Sequence, residues 1–199
     1  MIGQKDIDIA KKNWVDWISV FEHTGILVDS PLLFSPEVFK KFLHEYGVGR
    51  TIRAGKSNEF REALRDNDLG LAEKLSDYSG KGIDELEDLL RPRFGVMNGD
   101  RVIRSVISKI AAFLVPAQFI AWDRFARAGV IRVLGRQSNH KYETYADYLN
   151  DVNLLLTDKM NVALISACRG FHPTEYSSKN YRFERRVLDV YLMRIGGRW

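Results

Sequence analysis

The chain has 199 residues, of which 45% are hydrophobic and 28% are charged, a balance typical of a folded globular protein rather than a disordered one. Its net charge of +4 is unevenly distributed, because residues 1–99 carry 14 Lys+Arg and 17 Asp+Glu whereas residues 100–199 carry 16 and 9. The single cysteine excludes an intrachain disulfide and a cysteine-ligated metal cluster. The first residues lack the apolar run of a signal peptide, and no stretch is long and apolar enough to span a membrane. We therefore expect a cytoplasmic protein without a membrane partner.

The hydrophobic spacing of the first half predicts helices throughout. Ser35 and Pro36 are typical of the N-cap and first position of a helix, here predicted over residues 36–46, and Gly47 ends it. Residues 91–99, with Pro92 and two glycines, predict a loop and a possible lobe boundary. The other helices of this half are predicted over residues 5–21, after the N-cap residue Ser57, over 69–78 and over 83–90.

The second half is also predicted to be helical. Residues 100–114 are apolar on almost every side, which is typical of a helix at the centre of a bundle. Further helices are predicted over 143–167 and 181–195, and residues 130–134 fit an isolated strand. Together these elements predict an all-α fold. It is a compact bundle of about seven to nine helices in which residues 1–199 form one domain.

The loop of residues 47–57 contains two glycine turns and several basic residues. Its end is similar to a phosphate-binding P-loop, but five residues separate Gly49 from Gly55 where that motif has four, so a P-loop is excluded. Residues 43–53 resemble the helix-hairpin-helix motif, whose Gly-hydrophobic-Gly turn directs backbone N–H groups at a DNA phosphate. The resemblance implies nucleic-acid contacts from Gly47, Gly49, Arg50, Arg53 and Lys56. The alternative is a glycine that ends a helix, followed by a solvated basic loop.

A second resemblance lies in residues 119–127, where an aspartate opens a helix and an arginine follows four positions later. This segment resembles the helix-hairpin-helix DNA glycosylases. The resemblance implies that Asp123 stabilises positive charge developing at the sugar, that Lys109 is the amine nucleophile of a bifunctional enzyme, and that Arg127 contacts nucleic acid. A lysine in so apolar a helix is expected to have a lowered pKa. The structural alternative is that Asp123 caps a helix while Lys109 extends its amine to the surface.

The last predicted helix is rich in arginine. Val187, Val190 and Tyr191 form its buried stripe, which leaves three arginines pointing outward as a predicted nucleic-acid surface, namely Arg182, Arg185 and Arg186. An ordinary amphipathic helix with a charged face is the alternative.

The function predicted from these features is a nucleic-acid-binding helical protein with DNA or RNA as its candidate partner and glycosylase/lyase-like chemistry as its candidate activity. A non-enzymatic protein–protein interaction or regulatory module is the alternative from another class. The four histidines are scattered and no cofactor motif is present, so neither a metal nor a cofactor is predicted.

Overall fold

The computed structural model describes residues 2–13, 35–65, 70–96, 103–115, 118–157 and 183–198. These ranges contain nine α-helices, one 3-10 turn (Gly49–Thr51) and no β-strand, so the predicted all-α fold class is confirmed. In chain order the helices are α1 Gln4–Asn13, α2 Pro36–Glu45, α3 Ser57–Arg65, α4 Leu71–Ser76, α5 Lys81–Phe94, α6 Arg104–Leu114, α7 Arg124–Val133, α8 Tyr145–Thr157 and α9 Phe183–Ile195.

Local sequence signals place several helix ends correctly. Ser35 has extended backbone angles (φ −66°, ψ 143°) directly before α2, and Gly47 adopts a left-handed φ of +61° just after it. The loop predicted from Arg91 is wrong in its first part, because α5 continues through Pro92 to Phe94. Residues 130–133 belong to α7, so the strand considered there is also wrong. The helical predictions for residues 14–21, 100–102 and 158–167 lie outside the described residues.

One hydrophobic core connects the described helices, from Ile7 in α1 to Met193 in α9. The centre of this core is α6, as predicted, and its residues Val106, Ile107 and Ile110 are at most 1% exposed. Near the end of α6 the ring of Phe113 makes an edge contact with the ring of Phe42 in α2, with 5.4 Å between ring centroids. It makes a second edge contact, at 5.1 Å, with the ring of Tyr46, the residue after α2. The element that precedes the glycine loop is thereby packed on the central helix.

Helices α7 and α9 approach so closely that glycine is required on both sides. A Cβ at Gly129 in α7 would lie 2.1 Å from the carbonyl oxygen of Leu192, and a Cβ at Gly196, just after α9, would lie 1.8 Å from that of Phe125. The two backbones are therefore in direct contact at both positions. This contact holds α9 against α7 from Phe125 to Gly129.

The first and last described helices are joined by an ion pair. Arg194 donates to both carboxylate oxygens of Asp6, at 2.8 and 2.9 Å, and Asp6 is fully buried. In the part of the chain that the structure describes, every helix is too short or too polar to cross a bilayer.

Candidate functional site

Lys109 is a buried amine on the central helix. Its residue is 8% exposed, and its Nζ donates a hydrogen bond of 3.1 Å to Ser105 Oγ, one turn earlier in α6. Burial lowers the pKa of Lys109, while the negative charges of Asp123 and Asp189 oppose this effect. The lowered pKa agrees with the sequence-based expectation. The alternative in which the amine extends to the surface is wrong, because the Lys109 side chain is buried and its Nζ is bound to a side chain of its own helix.

Asp123 is the N-cap of α7, as the structural alternative predicted. Its backbone is extended (φ −114°, ψ 140°), and its Oδ1 accepts a hydrogen bond of 2.8 Å from the backbone N–H of Phe125. The negative charge of Asp123 raises the pKa of Lys109, against the lowering by burial. Capping and this electrostatic effect on the amine are therefore properties of the same side chain.

Hydrogen bonds from α6 hold the residue before Asp123 in place. The backbone N–H of Trp122 donates to Ser108 Oγ at 2.8 Å, and Ser105 Oγ donates to the Trp122 carbonyl at 3.2 Å. Ser105 therefore contacts both Lys109 and the chain segment that carries Asp123. This arrangement explains how two residues that are 14 positions apart in the sequence share one site.

Asp189 on α9 is a third charged member of the site, and it was not among the predicted site residues. It is 2% exposed, its Oδ2 accepts a hydrogen bond from Arg186, and burial raises its pKa against the opposing charge of that arginine. Within the described residues its other oxygen, Oδ1, has no hydrogen-bond partner. We call Lys109, Asp123, Asp189 and Arg186 the buried charged cluster, in which Lys109 and Asp189 are buried and the other two residues are half-buried.

An aromatic ring with two guanidinium groups borders this cluster. The side chain of Arg127 lies over the ring of Trp122 at 4.3 Å, and that of Arg104 lies over the same ring at 4.8 Å. Arg104 also forms ion pairs with Asp84, at 3.2 Å, and with Glu87. Arg127, predicted to contact nucleic acid, is therefore partly engaged with Trp122.

The predicted outward orientation of the arginines on α9 is wrong for the two that the structure describes. Arg185 is 6% exposed and donates a hydrogen bond of 2.8 Å to Asn153 Oδ1 on α8, while Arg186 binds Asp189. The helical charge pattern could not reveal the partner of Arg185, because that contact depends on how α8 and α9 pack. Asp189, in contrast, lies three residues after Arg186 in the same helix. Arg182 lies outside the described residues.

The glycine loop and α2 enclose a groove of about 900 Å³. Lys40, His44 and Arg50 supply positive or titratable groups to its lining, and Glu37 supplies a negative one. Of the other predicted basic contacts, Arg53 is exposed and donates to the Pro92 carbonyl at 3.2 Å, and Lys56 Nζ donates to Glu59 at 2.6 Å. The remaining lining residues are Pro36, Phe39, Leu43, Gly47, Gly49, Gly55, Ser57 and Asn58.

The chain after Gly49 does not enter the next α-helix at once. A single 3-10 turn over Gly49–Thr51 follows the glycine, Ile52 then forms an isolated bridge with Gly95, and α3 begins only at Ser57. The 3-10 turn packs against α6, the helix that carries Lys109. The groove and the buried charged cluster are therefore supported by the same central helix.

Comparison of the chain with protein-family models, with curated proteins and with solved structures finds no match in any of the three.

Proposed function

We propose that the protein binds nucleic acid and that Lys109 and Asp123 act on a nucleotide sugar as the amine and carboxylate of a glycosylase/lyase-like centre. The observation that carries this proposal is the buried charged cluster, in which an amine of lowered pKa lies in the field of a carboxylate held in a fixed position by its helix cap. A neutral amine is a nucleophile whereas an ammonium is not, so a lowered pKa is what this chemistry requires.

The groove supports the nucleic-acid part of the proposal. Lys40 and Arg50 are exposed in its lining, and Gly47 and Gly49 have no side chain to keep a phosphate from the backbone. A strand bound there would contact the turn that packs on α6. To reach Lys109, which is 8% exposed, the sugar would have to leave the stack, as it does in enzymes that act on extruded nucleotides.

The chemistry on an abasic site follows from these groups. The neutral Nζ of Lys109 attacks C1′ of the ring-opened sugar, an N–C bond forms, and the carbonyl π electrons move to oxygen. That oxygen takes one proton from the attacking nitrogen and one from solvent and leaves as water, so that an iminium ion remains. The carboxylate of Asp123 stabilises the positive charge that develops at this carbon. On an intact nucleotide the amine displaces the base at C1′, and the base leaves with the electrons of the glycosidic bond.

Binding is tested with fluorescent single- and double-stranded DNA and RNA at low and at moderate salt. The proposal expects binding that weakens steeply with salt, because neutralised phosphates release counterions. Absence of binding to all four probes at low salt would refute it.

The amine chemistry is tested by borohydride trapping on abasic DNA. Hydride reduces the iminium to a stable secondary amine, so wild-type protein is expected to form a covalent adduct. Lys109→Met keeps the length of the side chain and removes the amine, and it should abolish the adduct. The control is Lys74→Met on α4, where the lysine pairs with Glu85 at 2.6 Å, and its adduct should equal that of wild type. An adduct that persists in Lys109→Met would remove this lysine from the proposal.

A protein-interaction module is the competing function. Among the described residues three large hydrophobic side chains are exposed, Tyr78 at 44% and Leu89 and Leu154 at 55% each. Single exposed hydrophobic residues are common on monomeric proteins, so these three do not favour the module over nucleic-acid binding. Salt-tolerant capture of a protein together with no binding to nucleic acid would reverse this preference.

A further inference from the structure

Two serines on the central helix hold the chain segment that leads to Asp123. Ser108 Oγ accepts a hydrogen bond of 2.8 Å from the backbone N–H of Trp122, and Ser105 Oγ donates one of 3.2 Å to the carbonyl of the same residue. Ser105 also binds Lys109, whose Nζ lies 3.1 Å from its Oγ. Both serines therefore fix the same segment, and Ser105 connects that segment to the buried amine.

The direction of these hydrogen bonds follows from the chemistry of the groups. A serine hydroxyl has one hydrogen and a carbonyl oxygen can only accept, so the hydrogen of Ser105 is directed at Trp122. Toward Lys109 the Ser105 oxygen must therefore be the acceptor, and the amine uses one of its N–H groups. When the amine is neutral, the serine leaves its lone pair unoccupied, and this lone pair is what forms a bond to carbon.

The contact with Ser105 orients the Lys109 amine. Lys109 is 8% exposed, and within the described residues this is the one hydrogen bond that its Nζ makes. A lysine side chain has a flexible four-carbon stem, so an acceptor in a fixed position selects among its conformations. Because Ser105 is itself bound to the residue before Asp123, the position of the amine is linked to the segment that carries the capping carboxylate.

We infer that Ser105 is a positioning residue of the proposed centre, and that its hydroxyl holds the Lys109 amine in the orientation from which the free lone pair attacks the sugar carbon. This inference rests on the proposed function for its link to catalysis. The hydrogen bond between the two side chains is a property of the folded protein without any substrate.

The inference is tested by the rate of borohydride trapping on abasic DNA, measured at a pH at which the amine is neutral in every variant. The rates then report the orientation of the amine rather than its charge. Ser105→Ala is expected to trap about tenfold more slowly than Ser108→Ala, because a nucleophile without a fixed orientation reacts more slowly. Ser108→Ala is the matched control, since it also removes one hydrogen bond to Trp122. A rate in Ser105→Ala that equals or exceeds that of Ser108→Ala overturns the inference.

A second pair of variants decides the question if Ser105→Ala does not fold. Threonine and valine share one β-branched shape, and of the two threonine alone has a hydroxyl. Ser105→Thr is therefore expected to trap about tenfold faster than Ser105→Val at the same pH. Both substitutions add the same methyl group to α6, so any effect of that group on packing is common to them. Equal rates in the two variants refute the role of the hydroxyl.

The hydrogen bond itself is tested without substrate, by titrating Lys109 in full-length protein that contains 13C-labelled lysine. An acceptor favours the ammonium form, so Ser105→Ala should lower the midpoint by roughly one pH unit, and Ser108→Ala should not change it. The substitutions leave in place the charged groups that act on the amine, namely Asp123 on α7, Asp189 and Arg186 on α9, and Arg198 after α9. An unchanged midpoint in Ser105→Ala contradicts the hydrogen bond.

The two experiments separate this inference from the proposed function. If wild type forms no adduct at any pH, the proposed function and the catalytic role of Ser105 both fail, and the titration still decides whether Ser105 binds the amine. If wild type forms the adduct and Ser105→Ala traps as fast as Ser108→Ala, the proposed function stands and the positioning role of Ser105 is refuted.

Discussion

Replacing Gly129 by alanine should separate the two helices that complete the buried charged cluster. The added Cβ would lie 2.1 Å from the Leu192 carbonyl oxygen, whereas ordinary contact begins near 3.4 Å, so the backbones must move apart by 1.3 Å, the difference of these distances. Overpacking of this kind costs about 3 kcal/mol, at the upper end of the usual range because the obstacle is rigid backbone. Alanine returns about 1 kcal/mol through its higher helix propensity.

The expected net effect is a loss of about 2 kcal/mol in the free energy of unfolding, which for a chain of this size corresponds to a melting temperature lower by roughly 4–8 °C. Urea denaturation followed by circular dichroism measures the free energy. Ala128→Gly, at the adjacent position of α7, is the control for the propensity term alone and should cost about 1 kcal/mol. If Gly129→Ala is as stable as wild type or more stable, the close approach of α7 and α9 is refuted.

Three further predictions concern the cap, an ion pair and the groove. Asp123→Asn should keep the free energy of unfolding within about 0.5 kcal/mol of wild type because asparagine also caps helices, whereas Asp123→Ala should lose about 1 kcal/mol. Neither variant should form the borohydride-trapped adduct. A full yield of adduct in Asp123→Asn would show that the charge is dispensable. Although burial alone would raise it, the pKa of Asp6 is lowered because Arg194 donates to its carboxylate. The stability that this pair contributes is present above the ordinary value of 3.8 and is lost as the pH falls through the lowered pKa. Asp6→Asn should therefore reduce the dependence of the free energy of unfolding on pH below that value, and an unchanged dependence would contradict this. In DNA binding, Lys40→Ala should reduce the slope of log affinity against log salt concentration by about 0.9, the value for one phosphate contact. Lys41→Ala should leave the slope unchanged, since Lys41 is outside the groove lining and pairs with Glu45 at 3.8 Å. The same slope in Lys40→Ala and wild type would place the nucleic acid elsewhere.

Local signals in the sequence predict the elements whose ends depend on neighbouring residues. Ser35 and Pro36 begin α2 because their backbone preferences suit the first turn, and Gly47 follows its end because glycine tolerates a positive φ. The central position of α6 was equally predictable, because a helix that is apolar on nearly all sides is stable only when other elements surround it. The same apolar surroundings predicted the lowered pKa of Lys109.

Features that depend on contacts distant in sequence were not predictable. In the sequence Asp189 is simply an acidic residue among arginines, and its burial within α9 depends on how other helices pack around it. Arg185 is directed inward because Asn153 on another helix accepts its hydrogen bond. Isolated glycines within a helical pattern were the available signal for the close approach, since glycine in a helix interior is costly unless packing requires it.

The ion pair between Asp6 and Arg194 has a consequence for the order in which the protein folds during synthesis. Its two members are 188 residues apart, so the N-terminal helix emerges from the ribosome long before its partner exists. Until Arg194 has been made, docking α1 on the nascent core would bury a carboxylate without its cation, which is strongly unfavourable. We therefore expect α1 to remain undocked on the nascent chain and to pack on the bundle only after α9 has been translated. The ion pair between Asp6 and Arg194 would then be one of the last contacts to form.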